Sequence, residues 1–406
     1  METLKEFPGN SLDGVFVSGR VYNARPSFVP SGVMPGVGDA WDERMGAMLC
    51  VLFDVVHIAP MGALTSLAED LIERAGFRRV PVDQILRYSD RAGYDSILER
   101  QAAGNMIVEH IHPENALDSR LYLIPRPLLA SLIDKAYLGQ WVPDHFMPAR
   151  FVVPRMQATE VVRKLGWSGG NCVLKTTGGV PTGGGYGVMR VPQGDRFAET
   201  LAALPGEGPV VVEQAYPALR SFCVNLLIPE TVKVPAEIFL LGAAEQWVRD
   251  ETRFVGSRIS PDREAWPETL EAAAHVGARV AEAGYRGILG VDVLETVSSG
   301  VRVIDINPRL NFSTAPLVLV RNLCRRLGSS VRFTAFNADL VRGMQPDGVA
   351  ALRRLISRQR VFPFRWYAYP PGGELAARAG LIVASEDSKA FQASRDELAA
   401  AGFRFS

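Results

Sequence analysis

Cys172-Val173-Leu174-Lys175-Thr176-Thr177-Gly178-Gly179-Val180-Pro181-Thr182-Gly183-Gly184-Gly185-Tyr186-Gly187-Val188-Met189-Arg190-Val191 is the stretch on which the fold turns. Its ends, Cys172 to Lys175 and Val188 to Val191, are short apolar runs that read as strands. Six of the ten residues 178–187 are glycine, so the middle is a loop and the whole is a hairpin with a long glycine tip. A backbone without side chains can fold over an anion and aim its N–H groups at phosphate oxygens. Lys175 at the strand end adds a cation. No Gly-Lys-Ser/Thr exit into a helix is present, and a strand follows the loop where the dinucleotide fingerprint needs a helix. A plain hairpin tip fits the same residues, so the loop alone leaves both readings open.

Further along the chain, Val210-Val211-Val212-Glu213 and Phe222 to Ile228 read as strands. Residues 266–283 read as a helix that ends at Gly284. Ile288 to Glu295 and Val301 to Ile306 read as two strands joined by Ser298-Ser299-Gly300. These last two carry Asp292 in Val291-Asp292-Val293, and Asp305 with Asn307 in Ile304-Asp305-Ile306-Asn307. Carboxylates inside apolar strand sequence are costly unless they are paired or hold a cation. Asp305 and Asn307 are two apart and so share a face. Three oxygen-bearing side chains on neighbouring strands suit Mg²⁺, with Mn²⁺ as a substitute, which fills its shell with phosphate and water. Arg309 follows two residues later, and a guanidinium there can clamp a phosphate or carboxylate through two hydrogen bonds. Asn311 and Ser313 stand beside it as substrate candidates. The exit Glu213-Gln214-Ala215-Tyr216 could set backbone groups against an adenine edge.

Towards the N-terminus, residues 1–125 alternate apolar runs with helical patterns, which predicts a parallel α/β sheet. The runs Gly14 to Val17, Met48 to Phe53 and Met106 to His110 are expected as strands, and Leu64 to Ala75 as a helix stopped by Gly76. Residues 25–38 form a Pro/Gly-rich loop. Residues 127–139 are expected to be helical. From residue 346 a helix, a strand at Leu381 to Ala384 and a last helix near 388–401 predict a small C-terminal αβ appendage. The division expected is 1–125, 126–208, 209–345 and 346–406.

Lys+Arg and Asp+Glu number 44 each in 406 residues. Such balance leaves no electrostatic footprint for nucleic acid or an anionic membrane. No apolar run reaches the length of a membrane span, and the opening residues lack the pattern of a signal peptide. Four scattered cysteines show no metal or redox spacing. A cytoplasmic protein with reduced thiols is expected.

Taken in order, these pieces resemble the ATP-grasp superfamily: Lys135 in Leu132-Ile133-Asp134-Lys135, then Lys175, the glycine hairpin, a Val-Glu-x-x-Tyr hinge, and an Asp…Asp-x-Asn-x-Arg pair of strands. The likeness spans roughly residues 130–330 and is most like the amino-acid and peptide ligases of specialised metabolism. It implies a pre-ATP-grasp α/β domain followed by a two-lobed ATP-grasp module. It also implies that Lys135 and Lys175 contact nucleotide phosphates under a lid containing Gly183, Gly184 and Gly185. Glu213, Gln214 and Tyr216 would line the adenine hinge. Asp292, Asp305 and Asn307 would bind two Mg²⁺, and Arg309 would contact phosphate or acyl-phosphate.

The chain departs from the family in two places. Arg220 stands where a ribose-binding Glu is common, and Asp305 where Glu is commoner. The activity implied is ATP-dependent joining of an amino-acid carboxylate to an amino-acid amine, giving a dipeptide, a γ-linked one included. Arg258 and Arg220 are candidate clamps for a substrate carboxylate. A small-molecule kinase and a non-catalytic nucleotide sensor on the same fold are the rival readings. A homodimer is open. His110 and His112, which lack a third ligand at sensible spacing, read as structural, and His57 and His275 as core residues.

Overall fold

The computed structural model describes residues 4–25, 46, 49–112, 116–167, 171–178, 187–192, 196–231, 237–249, 253–260, 264–328 and 330–405. A two-residue strand β1 (Lys5–Glu6) opens the chain and pairs with the large sheet. Strands β2 (Val21–Asn23), β3 (Val56–Pro60), β4 (Ile85–Tyr88) and β5 (Met106–Val108) then form a parallel sheet in the order β4-β3-β2-β5. The helix Ser66–Arg74 begins at Thr65, whose hydroxyl accepts from Ala68 N, and its end is followed by Gly76 at φ +80°. That left-handed conformation is one that glycine adopts without strain.

Two expected strands are not strands. Val15 and Phe16 are buried, as are Leu49 to Leu52, yet residues 11–16 and 49–51 are turns and bends. Gly14 sits at φ +82°, which ends any extended run. The two segments are tied to each other by Asp13 and Asp54. Phe53 N donates to Asp13 Oδ1 and Gly14 N to Asp54 Oδ2, both at 2.6 Å. The strands lie a few residues later in each case. Apolar runs marked burial correctly and strand wrongly, because side-chain carboxylates satisfy the backbone that a ladder would otherwise pair.

The expected helix over 127–139 is broken. It runs over Arg126–Ile133, turns at Asp134, and resumes as the short helical turns Lys135–Tyr137 and Leu138–Trp141. Asp134 Oδ1 accepts from Ala136 N at 2.9 Å, and its Oδ2 accepts from Gly178 N at 3.0 Å. One carboxylate thus both starts the turn that carries Lys135 and holds the base of the glycine hairpin.

Strands β6 (Arg150–Val153), β7 (Cys172–Thr176), β8 (Val188–Arg190) and β9 (Val210–Gln214) form a second, antiparallel sheet in the order β6-β9-β7-β8. The helices Ala158–Leu165 and Phe197–Ala203 close its core with Leu174, Val210 and Val212.

The third sheet is the largest. Its strands are β10 (Ala218–Ile228), β11 (Phe239–Arg249), β12 (Arg253–Ile259), β13 (Gly287–Thr296), β14 (Gly300–Asn307), β15 (Arg332–Val341), β16 (Val361–Ala368), β17 (Leu375–Ser385) and β18 (Phe403–Phe405). The main path is β14-β13-β10-β11-β12-β15-β17-β16. The C-terminal appendage is therefore joined to the large sheet, with β17 paired along most of β15. One face packs on the helix Pro267–Glu282 through Val224, Val291, Val293 and Val276. The other carries the helix Thr314–Leu327 and meets the N-terminal sheet through a shared core that includes Tyr22, Ile107, Ala244 and Val318. No helix among the described residues is long and apolar enough to cross a membrane.

Candidate active site

Directly opposed residues of an antiparallel ladder share a face, and neighbours along a strand alternate. Asp292 on β13 opposes Asp305 on β14 and Cys223 on β10. Both acids therefore stand on the face that carries the helix Thr314–Leu327. Asn307 Nδ2 donates to Asp292 Oδ2 and Gln246 Nε2 to Asp292 Oδ1, each at 3.1 Å. Burial, followed by the charge of Asp305, pushes the Asp292 carboxyl up to about 6. Asp305 goes the other way. Burial raises it, but the Lys135 ammonium, with help from Lys175 and Arg309, outweighs that and holds it below the usual carboxylate range.

A cation fits this pair. Two half-buried carboxylates that oppose each other carry a penalty that a divalent ion relieves, and the Asn307 amide adds a carbonyl oxygen. Among the described residues no group of three or more His, Cys, Asp or Glu side chains could hold a metal. The donor set suits an ion that takes the rest of its shell from phosphate and water.

The two lysines reach this pair from different elements. Lys135 Nζ lies 2.6 Å from Asp305 Oδ2. Lys175, on β7, is only 4% exposed; its Nζ lies 2.7 Å from Glu213 Oε1 and donates to Ile304 O at 2.9 Å. Burial lowers the Lys175 ammonium from its ordinary value, and Glu213 works against that shift. Arg150 on β6 completes the group. Its Nη1 is 3.7 Å from Glu213 Oε2, and its Nη2 donates to Lys135 O. Glu213 thus spends its carboxylate on two cations. Beyond it, Tyr216 OH donates to Gln214 Oε1 at 3.1 Å and accepts from Ala149 N at 3.2 Å, fixing the hinge against the small sheet.

The segment after β14 is pinned at several points. Asn311 Nδ2 donates to Arg309 O at 3.1 Å. A Cβ on Gly290 would sit 2.0 Å from Asn311 Nδ2, so the strand beside Asp292 needs a glycine to admit this loop. Ser313 Oγ accepts from Asn225 Nδ2 at 3.0 Å, and Thr314 Oγ1 donates to Asn225 Oδ1 at 2.6 Å.

Two expected clamps are not at the site. Arg258 opposes Glu245 on β11, which opposes Phe222 on β10. Phe222 and Cys223 face opposite ways, so Arg258 is across the sheet from Asp292. There its guanidinium lies over the Trp247 ring at 5.3 Å and 3.8 Å from Glu245. Arg220 shares that far face. Its Nη2 is 2.6 Å from Glu295 Oε2, and Glu295 accepts from Trp266 N and Thr269 Oγ1 at the start of the helix Pro267–Glu282. Arg220 therefore neutralises a buried helix-capping acid. A strand carries two faces, and linear spacing between segments does not say which one a residue takes.

Gly183, Gly184 and Gly185 lie outside the described residues. His57 and His112 are buried, and burial lowers each to about 4. His275 is no core residue: its side chain is 39% exposed beside Glu271 on the helix surface. Sequence reading also missed three groups: Arg150, Gln246 and the present position of Glu109. Gln246 sits beside Glu245 in a strand without clean alternation, so the pattern did not single it out. Nothing in the spacing marked Arg150.

A family model described as L-aspartate–L-methionine ligase, ATP grasp, matches residues 148–307, and one described as the L-aspartate–L-methionine ligase N-terminal domain matches residues 11–130. The chain belongs to the ATP-grasp ligases. It is an ATP-dependent carboxylate–amine ligase. Solved structures share the fold. An N5-carboxyaminoimidazole ribonucleotide synthetase in its ADP complex aligns at TM-score 0.58 and 14% identity, over 94% of this chain and 97% of that one. The Staphylococcus aureus N5-carboxyaminoimidazole synthetase with ADP aligns at 0.57 and 11%, over 96% and 100%. An L-amino acid ligase from Bacillus licheniformis aligns at 0.50 and 11%, over 96% and 99%.

Proposed function

We propose that this ligase joins two amino acids into a dipeptide through an acyl-phosphate, with L-aspartate and L-methionine as the pair. The pair rests on the descriptions of the two matching family models. The chemistry rests on one observation: Lys135 and Lys175, from separate elements, converge on Ile304–Asp305 of β14, beside Asp292.

A substrate carboxylate oxygen attacks the γ-phosphorus of ATP. The bond to the β,γ-bridging oxygen breaks, and ADP leaves. Lys135 and Lys175 hold the phosphates, and Arg309 spreads the charge of the transferring group through its two-pronged guanidinium. The Glu213–Gln214–Tyr216 exit takes the adenine, and Gly183 to Gly185 cover the phosphates. Asp292, Asp305 and Asn307 would hold Mg²⁺, which neutralises phosphate charge when bound. The amine of the second amino acid then attacks the acyl carbon. Phosphate leaves, a proton is lost from nitrogen, and an amide remains. Asn311, bonded to the Arg309 carbonyl, is the substrate-side candidate that remains, since Ser313 is buried against Asn225. Residues 1–125, 126–208, 209–345 and 346–406 are the units we assign.

The test is to supply ATP, Mg²⁺, L-aspartate and L-methionine and to measure ADP against dipeptide. One ADP per amide is expected, with hydroxylamine trapping the activated carboxylate as a hydroxamate. A phosphorylated metabolite without amide would make the protein a kinase. ADP release that no amino acid stimulates would end the substrate proposal.

A further inference from the structure

Glu109 follows β5 at the carboxyl edge of the N-terminal sheet and is only 5% exposed. Its backbone N–H donates to Asn23 O at 3.2 Å, so its main chain is fixed to β2. Its side chain bridges its own domain and the large sheet. Glu109 Oε1 accepts from Leu310 N at 2.5 Å and from the hydroxyl of Tyr22, itself buried on β2. Leu310 is the residue after Arg309. Glu109, Tyr22, Tyr285, Pro308 and Arg309 line one small cavity between the N-terminal sheet and the exit of β14. Burial raises the Tyr285 hydroxyl well above its ordinary value, Glu109 adds to that, and Arg309 opposes it.

A carboxylate buried this deeply is costly, and a hydrogen bond from a backbone N–H to it is about twice as strong as a neutral one. The segment 308–313 leaves the sheet, so the Leu310 N–H has no ladder partner, and Glu109 supplies one from another domain. Asn311 Nδ2 holds the Arg309 carbonyl on the other side. The peptide that carries the Arg309 guanidinium is thereby fixed from both ends.

We propose that Glu109 is a positioning residue for Arg309, a strut through which the N-terminal sheet sets the phosphate clamp of the large sheet. The inference rests on the reading of Arg309 given above. It gives the N-terminal domain a part in catalysis beyond shaping the cleft.

E109A, E109Q and Y22F in the full chain test it, read by ADP release with L-aspartate and L-methionine and by amide exchange over residues 308–312. E109A is expected to lower kcat by roughly 10- to 100-fold, the scale of a small misplacement, with KM for ATP changed by less than about twofold. E109Q keeps an oxygen that accepts the same N–H and is expected to restore kcat to within about fivefold of the parent. The Leu310 amide should exchange at least about tenfold faster in E109A, whether or not the substrates are the right pair.

Unchanged exchange at Leu310 overturns the strut, as does faster exchange with an unchanged kcat. An E109Q enzyme as slow as E109A also overturns it. R309A that releases ADP at the parent rate overturns the reading of the clamp and the inference with it. Should E109A fail to fold, Y22F keeps the acid but removes the Tyr22 bond to it, and a kcat drop of about two- to fivefold is then expected; no drop overturns the inference.

Discussion

The N-terminal sheet and the site between the small and large sheets both take titratable groups out of water and partner them in opposite ways. In the N-terminal sheet burial keeps two histidines and a tyrosine neutral. His57 and His112 are lowered to about 4, and the Tyr94 hydroxyl is out of range of ordinary titration. Each is paired to a neutral group: His57 with Leu52 O, His112 with Arg25 O, Tyr94 with Asn23. In the site acids and bases face each other in pairs, Lys135 with Asp305 and Lys175 with Glu213. A fold needs only satisfied polar atoms, and neutral partners provide that cheaply. A phosphoryl-transfer site needs fixed charge, and charge survives burial only when opposite charge is fixed beside it.

The largest effect that would break this contrast is loss of one site acid. Asp305→Asn leaves Lys135 without its anion and removes a hard oxygen donor. ADP formation should fall by at least about a thousandfold, with the circular dichroism spectrum unchanged. Normal turnover at ordinary Mg²⁺ would remove Asp305 from the site. Glu213→Gln comes next. It leaves Lys175 and Arg150 buried against a neutral amide, and stability measured by urea unfolding should drop by about 3–5 kcal/mol.

The neutral region should show itself in acid. Above pH 6.5 both histidines are neutral folded or unfolded, and they contribute no pH dependence. Below it the unfolded chain takes up protons that the folded one refuses until about 4. Stability is therefore lost as pH falls from about 6.5 to 4, by about 3 kcal/mol for each histidine at full extent. His57→Gln should flatten that limb; a limb of equal slope in the variant would count against His57. The smallest effect is on the far face of the large sheet. Arg258→Lys should leave KM for ATP and for both amino acids within about twofold. A rise above about fivefold for one amino acid would return Arg258 to the site.

Several features could be read from the letters because their physics is local. The glycine hairpin, the acids in apolar strands, and the strand periods of 210–214, 222–228 and 287–307 all depend on near neighbours in the chain. So did the parallel N-terminal sheet as a class, although two of its strands were placed a few residues early, where Asp13 and Asp54 turn buried apolar runs into turns. The order of lysines, acids and arginine carried the family resemblance, since each has one fixed place along the chain.

Other features were decided only in three dimensions. Linear order cannot say which face of the sheet Arg220 and Arg258 take, because ladder register and bulges between distant strands set it. It cannot say that Arg150 closes the Lys135–Lys175–Glu213 group, or that Gln246 caps Asp292, because those contacts join strands far apart in sequence. Nor does it show that Glu109, next to His110 in the chain, reaches across to Leu310, 201 residues away. Near-neighbour pattern along the chain told which chemistry is present and on what kind of element. Tertiary structure decided which of the candidate charges meet, because burial makes a charge tolerable only beside a partner that the fold delivers.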